Sequence, residues 1–172
     1  MDPLLPCGHA APDFSLYDLN NQLHRLMDYQ GHITVMNFWS AECPWVERTD
    51  REIQLRLSRW EPAVVFLYIA SNLNEPVELL QIKSKERGLP VVLRDTHQNV
   101  ANLYGAQTTP HLFVIDSTGI LRYQGAFDDV SFRKRTPSIQ YLDQSVEALL
   151  SGNSPNPEYS PSYGCAIVRY SS

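Results

Sequence analysis

Residues 33–46 read Ile-Thr-Val-Met-Asn-Phe-Trp-Ser-Ala-Glu-Cys-Pro-Trp-Val. The first seven of these residues form a mainly apolar run, which is typical of a strand that is buried on both faces of a sheet. Cys43 follows this run across a short turn, and Pro44 suits the first turn of a helix because its missing N–H costs no hydrogen bond there. The stretch therefore predicts a central strand followed by a helix that begins at a thiol.

Outward from this stretch, the pattern predicts strands that alternate with helices. A long amphipathic helix is expected over residues 44–60, with its apolar residues on one stripe. Further strands are expected at 12–18, 63–70, 91–93, 111–115 and 120–124, a return segment at 23–29, and helices at 75–87, 99–104 and 139–150. This order is typical of a βαβ unit with a parallel sheet, to which a closing hairpin adds antiparallel strands.

Composition restricts the class of protein. The chain has 172 residues, of which 43% are hydrophobic and 19% are charged, and its formal net charge is −5. A chain of this length buries enough surface for one domain with its own core. The negative charge argues against a nucleic-acid partner, which clustered Lys and Arg would bind. No charge-free stretch is long enough to cross a bilayer, so no membrane association is predicted.

The two ends of the chain differ in character. Residues 1–151 form the predicted domain, and residues 152–172 form a proline-spaced tail that is expected to be extended and without a core of its own. The N-terminus lacks the basic and apolar regions of a signal peptide. We therefore expect a cytoplasmic location, or a periplasmic one if a signal peptide has been removed.

Cys43 is the residue that we expect to be reactive. It follows the carboxyl end of a predicted parallel strand, where open α/β folds place their sites. The first turn of a helix offers free N–H groups and a partial positive charge, which favour the nucleophilic thiolate. Glu42 and Glu47 oppose a second negative charge, and Arg48 could offset them. A structural cysteine would instead be expected inside the apolar strand.

The other cysteines and the histidines show no metal-binding pattern. Cys7, Cys43 and Cys165 are too few for a disulfide scaffold, and the five histidines have no paired ligand spacing. We therefore expect neither a metal site nor a cofactor.

A second motif, Thr109-Pro110-His111, precedes a predicted strand. Pro110 is either an ordinary proline at a strand start or part of a cis peptide bond that faces the thiol, with the Thr109 backbone free to pair with substrate. Trp39 and Trp45 flank the thiol and either form an apolar platform for substrate or pack in the core. His111 either donates a proton to the thiolate or points away, and we favour the second alternative.

Together these motifs resemble the redoxins, the alkyl hydroperoxide reductase/thiol-specific antioxidant superfamily. The matching residues are Ala11-Pro12-Asp13-Phe14, residues 37–44, Thr109-Pro110 with its apolar strand, and Gly119 in the final hairpin. The resemblance, which covers residues 8–150, implies an α/β thioredoxin fold: a central mixed β-sheet flanked by helices, with an N-terminal β-hairpin extension and an extended C-terminal tail. It also implies a nucleophilic Cys43, a cis Pro110 beside it, and thiol–disulfide or peroxide chemistry.

The chain departs from the two main patterns of this superfamily. Val46 stands where thioredoxins carry the second cysteine of Cys-x-x-Cys, so a mixed disulfide on Cys43 cannot be resolved within the motif. Asn37 stands where thioredoxins carry a buried Asp. In the peroxiredoxin motif Pro-x-x-x-Thr-x-x-Cys, Ser40 replaces the Thr and Met36 the Pro. The candidates for a peroxide-orienting arginine are Arg48, Arg94 and Arg122.

The chain is more similar to a peroxiredoxin-like branch with Cys-Pro-aromatic-Val at the active site. The further matches are Tyr104-Gly105-Ala106, residues 125–129 and a proline-bearing tail that ends in Gly164-Cys165. About twenty extended residues, at roughly 3.3 Å each, are long enough to bring Cys165 across the domain to Cys43. Alternatively, Cys165 packs in a groove and takes no part in catalysis. Cys7 is a weaker candidate for the second thiol.

Two functions follow from this resemblance. The first is a peroxiredoxin-like thiol oxidoreductase, in which Cys43 attacks a hydroperoxide or a disulfide and Cys165, or an external thiol such as thioredoxin or glutathione, resolves the product. The residues expected to contact substrate are Trp39, Ser40, Pro44, Trp45, Thr109 and Pro110. The second is a non-catalytic thioredoxin-fold module that binds a partner or senses redox state.

Overall fold

The structure is a computed structural model that describes residues 5–171. The strands are β1 (Ser15–Asp18), β2 (Leu23–Arg25), β3 (Ile33–Trp39), β4 (Val64–Ala70), β5 (Val92–Arg94), β6 (Thr108–Thr109), β7 (His111–Ile115), β8 (Leu121–Gly125) and β9 (Cys165–Ala166). The helices are α1 (Pro44–Gln54), α2 (Leu57–Trp60), α3 (Val77–Glu86), α4 (Asn99–Tyr104) and α5 (Tyr141–Leu150), and a 3-10 turn covers Leu26–Tyr29. No helix among these residues is long and apolar enough to span a membrane.

The strand β3 lies inside a seven-stranded sheet with the order β2-β1-β5-β4-β3-β7-β8. Helices connect β3, β4 and β5, and these three strands are parallel. The hairpin β7–β8 pairs antiparallel with the other edge of β3. At the opposite side of the sheet, β1 and β2 form an N-terminal hairpin next to β5. The mixed sheet flanked by helices confirms the predicted α/β thioredoxin fold.

Alternate residues of β3 pack into two cores. Val35 and Trp39 lie in the core beneath α1, α2, α3 and α5, whereas Met36 and Phe38 lie in the core beneath α4 and the N-terminal segment. All seven residues of β3 are buried, which is why the strand reads as one apolar run rather than as an alternating pattern. The Cys43 turn thus follows the carboxyl end of an interior strand that is buried along its whole length.

The predicted helix over residues 44–60 is wrong in one respect, because it divides into α1 and α2. The backbone N–H of Arg56 donates to the carbonyl of Ile53 at 2.9 Å, so the carbonyl of Glu52 lacks its usual helical partner. The guanidinium of Arg56 then donates to that Glu52 carbonyl at 2.7 Å and to Asp143 at 2.5 Å. A buried arginine therefore replaces the helical hydrogen bond and ties the break to α5.

Several predicted boundaries also shift by a few residues. The return segment 23–29 ends as a strand at Arg25 and continues as the 3-10 turn. Pro76 caps α3, so this helix begins at Val77 and ends at Glu86. The sequence predicted neither β6 nor β9, because two residues are too short to show a period.

The tail lies along the domain. Three residues of the tail are buried, namely Pro155, Ser160 and Ile167. The hydroxyl of Ser160 accepts from the Ala126 N–H at 3.0 Å and shares a 2.7 Å hydrogen bond with Tyr123. Beyond this point the chain continues to β9, which pairs with β6.

Candidate active site

Cys43 lies at the junction between β3 and α1. It is the N-cap residue of α1, Pro44 occupies the first turn, and the Cys43 carbonyl accepts from the N–H groups of Val46 and Glu47 at 3.1 Å each. The side chain is only 4% exposed. The start of an eleven-residue helix places partial positive charge at this sulfur, which favours a thiolate there.

A carboxylate holds the turn that precedes Cys43. Glu75 accepts from the N–H groups of Ala41 and Glu42 at 3.2 Å each and from the hydroxyl of Ser40. The Ser40 oxygen in turn accepts from the Cys43 N–H at 3.2 Å. Ser40, whose contact with substrate stays a prediction, is 3% exposed and links Glu75 to the Cys43 backbone.

Arg87 holds the other side of the same turn. Its guanidinium donates to the carbonyls of Ser40 at 3.3 Å and Ala41 at 2.6 Å, and it pairs with Asp50 at 3.1 Å. Sequence reasoning missed both Glu75 and Arg87. Glu75 follows β4, whose carboxyl end shares a sheet edge with that of β3, and this position was the available signal.

Trp39 belongs to the core and not to a substrate platform. Its ring is fully buried, and its Nε1–H donates to Asp50 at 2.8 Å. Burial raises the pKa of Asp50 to about 6, although Trp39 and Arg87 both stabilise its charged form. The Trp39 ring thus packs in the core, which is the second of the two alternatives that the sequence left open.

The Thr109–Pro110 peptide bond is cis, and the segment lies directly against the thiol. The Cys43 sulfur is 3.2 Å from the Thr109 carbonyl oxygen. His111 pairs with Phe38 in the register of β3 and β7, and it packs on Phe113 in the core on the other face of the sheet. Burial lowers the pKa of His111 to about 4.

Cys165 is joined to Cys43 by a disulfide, with 6.2 Å between their Cα atoms. Cys165 stands opposite Thr109 in the β6–β9 pair, so the tail passes between Pro110 and solvent. A Cβ atom on Gly164 would lie 2.1 Å from the Thr109 carbonyl oxygen. The Gly-Cys sequence is therefore required for the tail to come this close to β6.

Two aromatic rings border the disulfide. Trp45 packs edge-to-face against Tyr163, with 5.0 Å between ring centroids, and the Tyr163 hydroxyl accepts from the Phe132 N–H at 2.7 Å. Pro44 is exposed and Trp45 is partly exposed, so both are accessible from solvent.

Cys7 and the candidate arginines are occupied elsewhere. The Cys7 thiol is free, donates to the Glu158 carbonyl at 3.3 Å, and has a pKa raised by burial. Arg48 forms a two-fold contact with Asp128, Arg94 binds Asn21, and Arg122 binds Asp116. Arg48 therefore does not serve to offset the acidic neighbours of Cys43. Within residues 5–171, no group of three or more His, Cys, Asp or Glu could hold a metal ion.

Comparison with known proteins gives relatives for the domain and for the whole chain. The thiol-disulfide oxidoreductase ResA of Geobacillus thermodenitrificans is 34% identical over 114 residues, which are 65% of this chain and 64% of that protein. The chain thus spans less than two thirds of the length of this curated relative. Two solved structures match almost the full chain, tail included. They are an uncharacterised conserved protein from Geobacillus kaustophilus, with TM-score 0.89, 28% identity and coverage of 100% of this chain and 97% of that one, and a hypothetical protein from Sinorhizobium meliloti 1021, with TM-score 0.85, 27% identity and coverage of 98% and 97%.

A comparison with protein families matches residues 7–124, more than half of the chain, to the AhpC/TSA family. This match confirms the redoxin resemblance that the motifs around Cys43 and Pro110 indicated. The chain belongs to the AhpC/TSA family.

Proposed function

We propose that this protein is a thiol–disulfide oxidoreductase whose redox couple is Cys43 and Cys165 in place of a Cys-x-x-Cys pair. The observation that supports this proposal is the Cys43–Cys165 disulfide, with Cys165 placed by the pairing of β9 with β6. Val46 stands where a second cysteine of the motif would be, so a resolving thiol within this chain has to lie outside the motif.

Oxidation of the reduced protein by a disulfide R–S–S–R takes two exchange steps. The Cys43 thiolate attacks one substrate sulfur, forms Cys43–S–S–R and releases R–S⁻. Cys165 then loses its proton and attacks the Cys43 sulfur, which forms the Cys43–Cys165 disulfide and releases the second R–S⁻. The chain loses two electrons, and the substrate, after taking up two protons, leaves as two thiols.

An external thiol reductant of the thioredoxin or glutathione kind reverses this oxidation. Cys43 is 4% exposed, whereas Cys165 is partly exposed. We therefore expect the reductant to attack the sulfur of Cys165, so that the Cys43 thiolate leaves from the start of α1, where the helix favours its charge. A second thiol of the reductant then releases Cys165.

A hydroperoxide is the second candidate substrate, and the family match favours it. The Cys43 thiolate would take the terminal oxygen to give a sulfenic acid and an alcohol, and Cys165 would condense with it to give the disulfide and water. The guanidinium groups of the three candidate arginines, Arg48, Arg94 and Arg122, are bound to other residues, so none of these three supports this reaction. We therefore place disulfide substrates first.

The proposal is tested by reacting the reduced protein with one equivalent of oxidised glutathione, quenching with acid and measuring intact mass. We expect the intramolecular disulfide in the unchanged protein, a trapped glutathione adduct in Cys165→Ser, and no reaction in Cys43→Ser. Cys7→Ser serves as the matched control and should behave like the unchanged protein. A Cys43 that stays reduced for minutes would favour the non-catalytic binding or sensing module.

The cytoplasmic location stays a prediction. A disulfide that is formed and reduced in each cycle is compatible with a reducing compartment, because cytosolic disulfides are usually transient and catalytic.

A further inference from the structure

The edge of β6 beside Cys43 is already paired. Thr109 stands opposite Cys165 and Thr108 opposite Ala166 in an antiparallel register. A strand edge of this kind is a template on which an extended peptide adds through main-chain hydrogen bonds. The tail therefore occupies the place that a polypeptide substrate would need at the Cys43 sulfur.

A buried side chain anchors the tail on the C-terminal side of Cys165. Gln98 is 3% exposed. Its Nε2 donates to the carbonyls of Ser71 at 2.6 Å and Val168 at 2.7 Å, and its Oε1 accepts from the Tyr170 N–H at 3.2 Å. A buried amide is expensive to leave without partners, so releasing the tail costs the two hydrogen bonds that Gln98 makes with Val168 and Tyr170.

Further hydrogen bonds of the tail backbone strengthen this C-terminal anchor. The N–H of Ile167 donates to the Gln107 carbonyl at 3.1 Å, and the N–H of Val168 donates to Asn72 Oδ1 at 2.8 Å. The Val168 carbonyl also accepts from the Leu73 N–H at 3.0 Å. The tail is thus joined to the segments that follow β4 and precede β6.

A second anchor lies on the N-terminal side of Cys165. Gln124 donates its N–H to the Glu158 carbonyl and accepts from the Ser160 N–H, both at 3.1 Å. A Cβ atom on Gly125 would lie 2.1 Å from the Ser160 carbonyl oxygen, so this contact is as close as the one at Gly164. Residues 161–164 are all that separate this anchor from Cys165.

None of these contacts involves a sulfur atom. Reduction of the disulfide breaks one covalent link and none of these hydrogen bonds. We therefore expect the backbone of Cys165 to stay beside Cys43 in the reduced protein and the edge of β6 to stay covered.

We propose that the anchored tail restricts the substrates to low-molecular-weight disulfides and excludes disulfides held in polypeptide chains. This inference rests on the proposed function. A small disulfide needs access to the Cys43 sulfur alone, which movement of the Cys165 side chain opens once the disulfide is reduced, whereas a polypeptide that pairs with β6 has to displace the backbone of residues 164–166. The apparent affinity for such a polypeptide is reduced by the fraction of chains in which the tail is released.

The test compares two oxidants of the reduced full-length protein, oxidised glutathione and insulin, by the rate of Cys43–Cys165 formation in acid-quenched samples. We expect the second-order rate constant for insulin to be at least about 100-fold lower. Gln98→Ala removes two hydrogen bonds to the tail and should raise the insulin rate by about tenfold while changing the glutathione rate less than about twofold. Asn72→Ala should act in the same direction, and His97→Ala, an exposed neighbour, is the matched control.

Hydrogen exchange of the same samples reports on the anchor without any chemistry. The amides of Ile167 and Val168 should exchange slowly in both the oxidised and the reduced protein. Loss of their protection on reduction, or equal rates with insulin and oxidised glutathione in the unchanged protein, would overturn the inference. If neither oxidant forms the Cys43–Cys165 disulfide, the proposed function fails, and the exchange rates still decide whether the edge of β6 is covered.

Discussion

The turn that carries Cys43 and the tail that carries Cys165 are held in different ways. The turn follows a buried strand directly, begins a helix, and is fixed by Glu75 and Arg87. The tail has little regular structure and is fixed by hydrogen bonds to segments far away in sequence, such as those around Gln98 and Gln124. One half of the redox couple thus depends on local structure, and the other half depends on long-range contacts.

The tail should be the more sensitive half, and Gly164→Ala should show the largest effect. The added Cβ meets the Thr109 carbonyl at 2.1 Å, so the tail must move away from β6. We expect the equilibrium constant for the Cys43–Cys165 disulfide to fall by about 10- to 100-fold, corresponding to the cost of about 1–3 kcal/mol for overpacking. Equilibration with dithiothreitol buffers measures it, and Ser162→Ala is the control. An unchanged constant would show that the close approach is not needed.

The turn should respond to Glu75 without loss of the tail. Glu75→Ala removes the acceptor of the Ala41 N–H and of the Ser40 hydroxyl, and one of the two acceptors of the Glu42 N–H, which also donates to Ser40 Oγ at 3.2 Å. We expect the free energy of unfolding of the reduced protein to fall by about 1–2 kcal/mol, and by about half as much in Glu75→Gln, which keeps one acceptor oxygen. Urea denaturation measures both. Equal stability of all three proteins would contradict this role.

Two buried groups, Asp50 beside the turn and His111 beneath the tail, should make pH-dependent contributions of opposite sign to the free energy of unfolding. Asp50, which supports the turn through Arg87, has a pKa raised by burial to about 6, so its contribution favours the folded state at low pH and is lost as pH rises through 6. His111, which accepts a hydrogen bond from the Gln107 N–H beneath the tail, has a pKa lowered by burial to about 4. Its contribution is present above pH 6.5 and is lost as pH falls toward 4.

Urea denaturation between pH 7 and pH 5 separates these contributions. As the pH falls, the free energy of unfolding of the unchanged protein should rise by about 1 kcal/mol relative to that of Asp50→Asn. Relative to that of His111→Gln, it should fall by a similar amount. Differences that do not vary with pH, or that vary with the same sign, would contradict the assignment.

The contact between the two regions at Trp45 and Tyr163 should contribute least. Tyr163→Phe keeps the edge-to-face contact and removes only the acceptor of the Phe132 N–H, which is exposed to solvent. We expect a loss of about 0.5–1 kcal/mol in the stability of the oxidised protein. Urea denaturation followed by tryptophan fluorescence measures this loss, and a loss as large as that of Gly164→Ala would mean that Tyr163 holds the tail.

The contrast between the two regions also explains what the sequence could predict. The apolar run of β3 and the Cys-Pro step after it obey local rules, and so the sheet, the helix at Cys43 and the edge that carries the site were predictable. The break after Gln54 was not, because it depends on the contact of Arg56 with Asp143, 87 residues away. Gln98 and Arg87 gave no signal for the same reason, since each acts on backbone groups that only the folded chain brings near.

The position of the tail is the feature that was least predictable from the sequence. Its length permitted a bond between Cys165 and Cys43, but it equally permitted a Cys165 that packs in a groove and takes no part in catalysis. The deciding feature is the pairing of Thr109 with Cys165, and two-residue strands carry no periodic signal. Gly164, directly before Cys165, is the local feature that permits the close approach to β6. Its role is visible only in the fold, because it depends on the Thr109 carbonyl that Gly164 faces.

The most direct test of the account is a redox titration of the full-length protein in glutathione buffers, with the cysteine peptides quantified by differential alkylation and mass spectrometry. We expect Cys43 and Cys165 to titrate together as one disulfide with a two-electron slope of about 30 mV per decade, while Cys7 stays reduced over that range. A Cys43 that accumulates only as a glutathione mixed disulfide, or that pairs with Cys7, would contradict it.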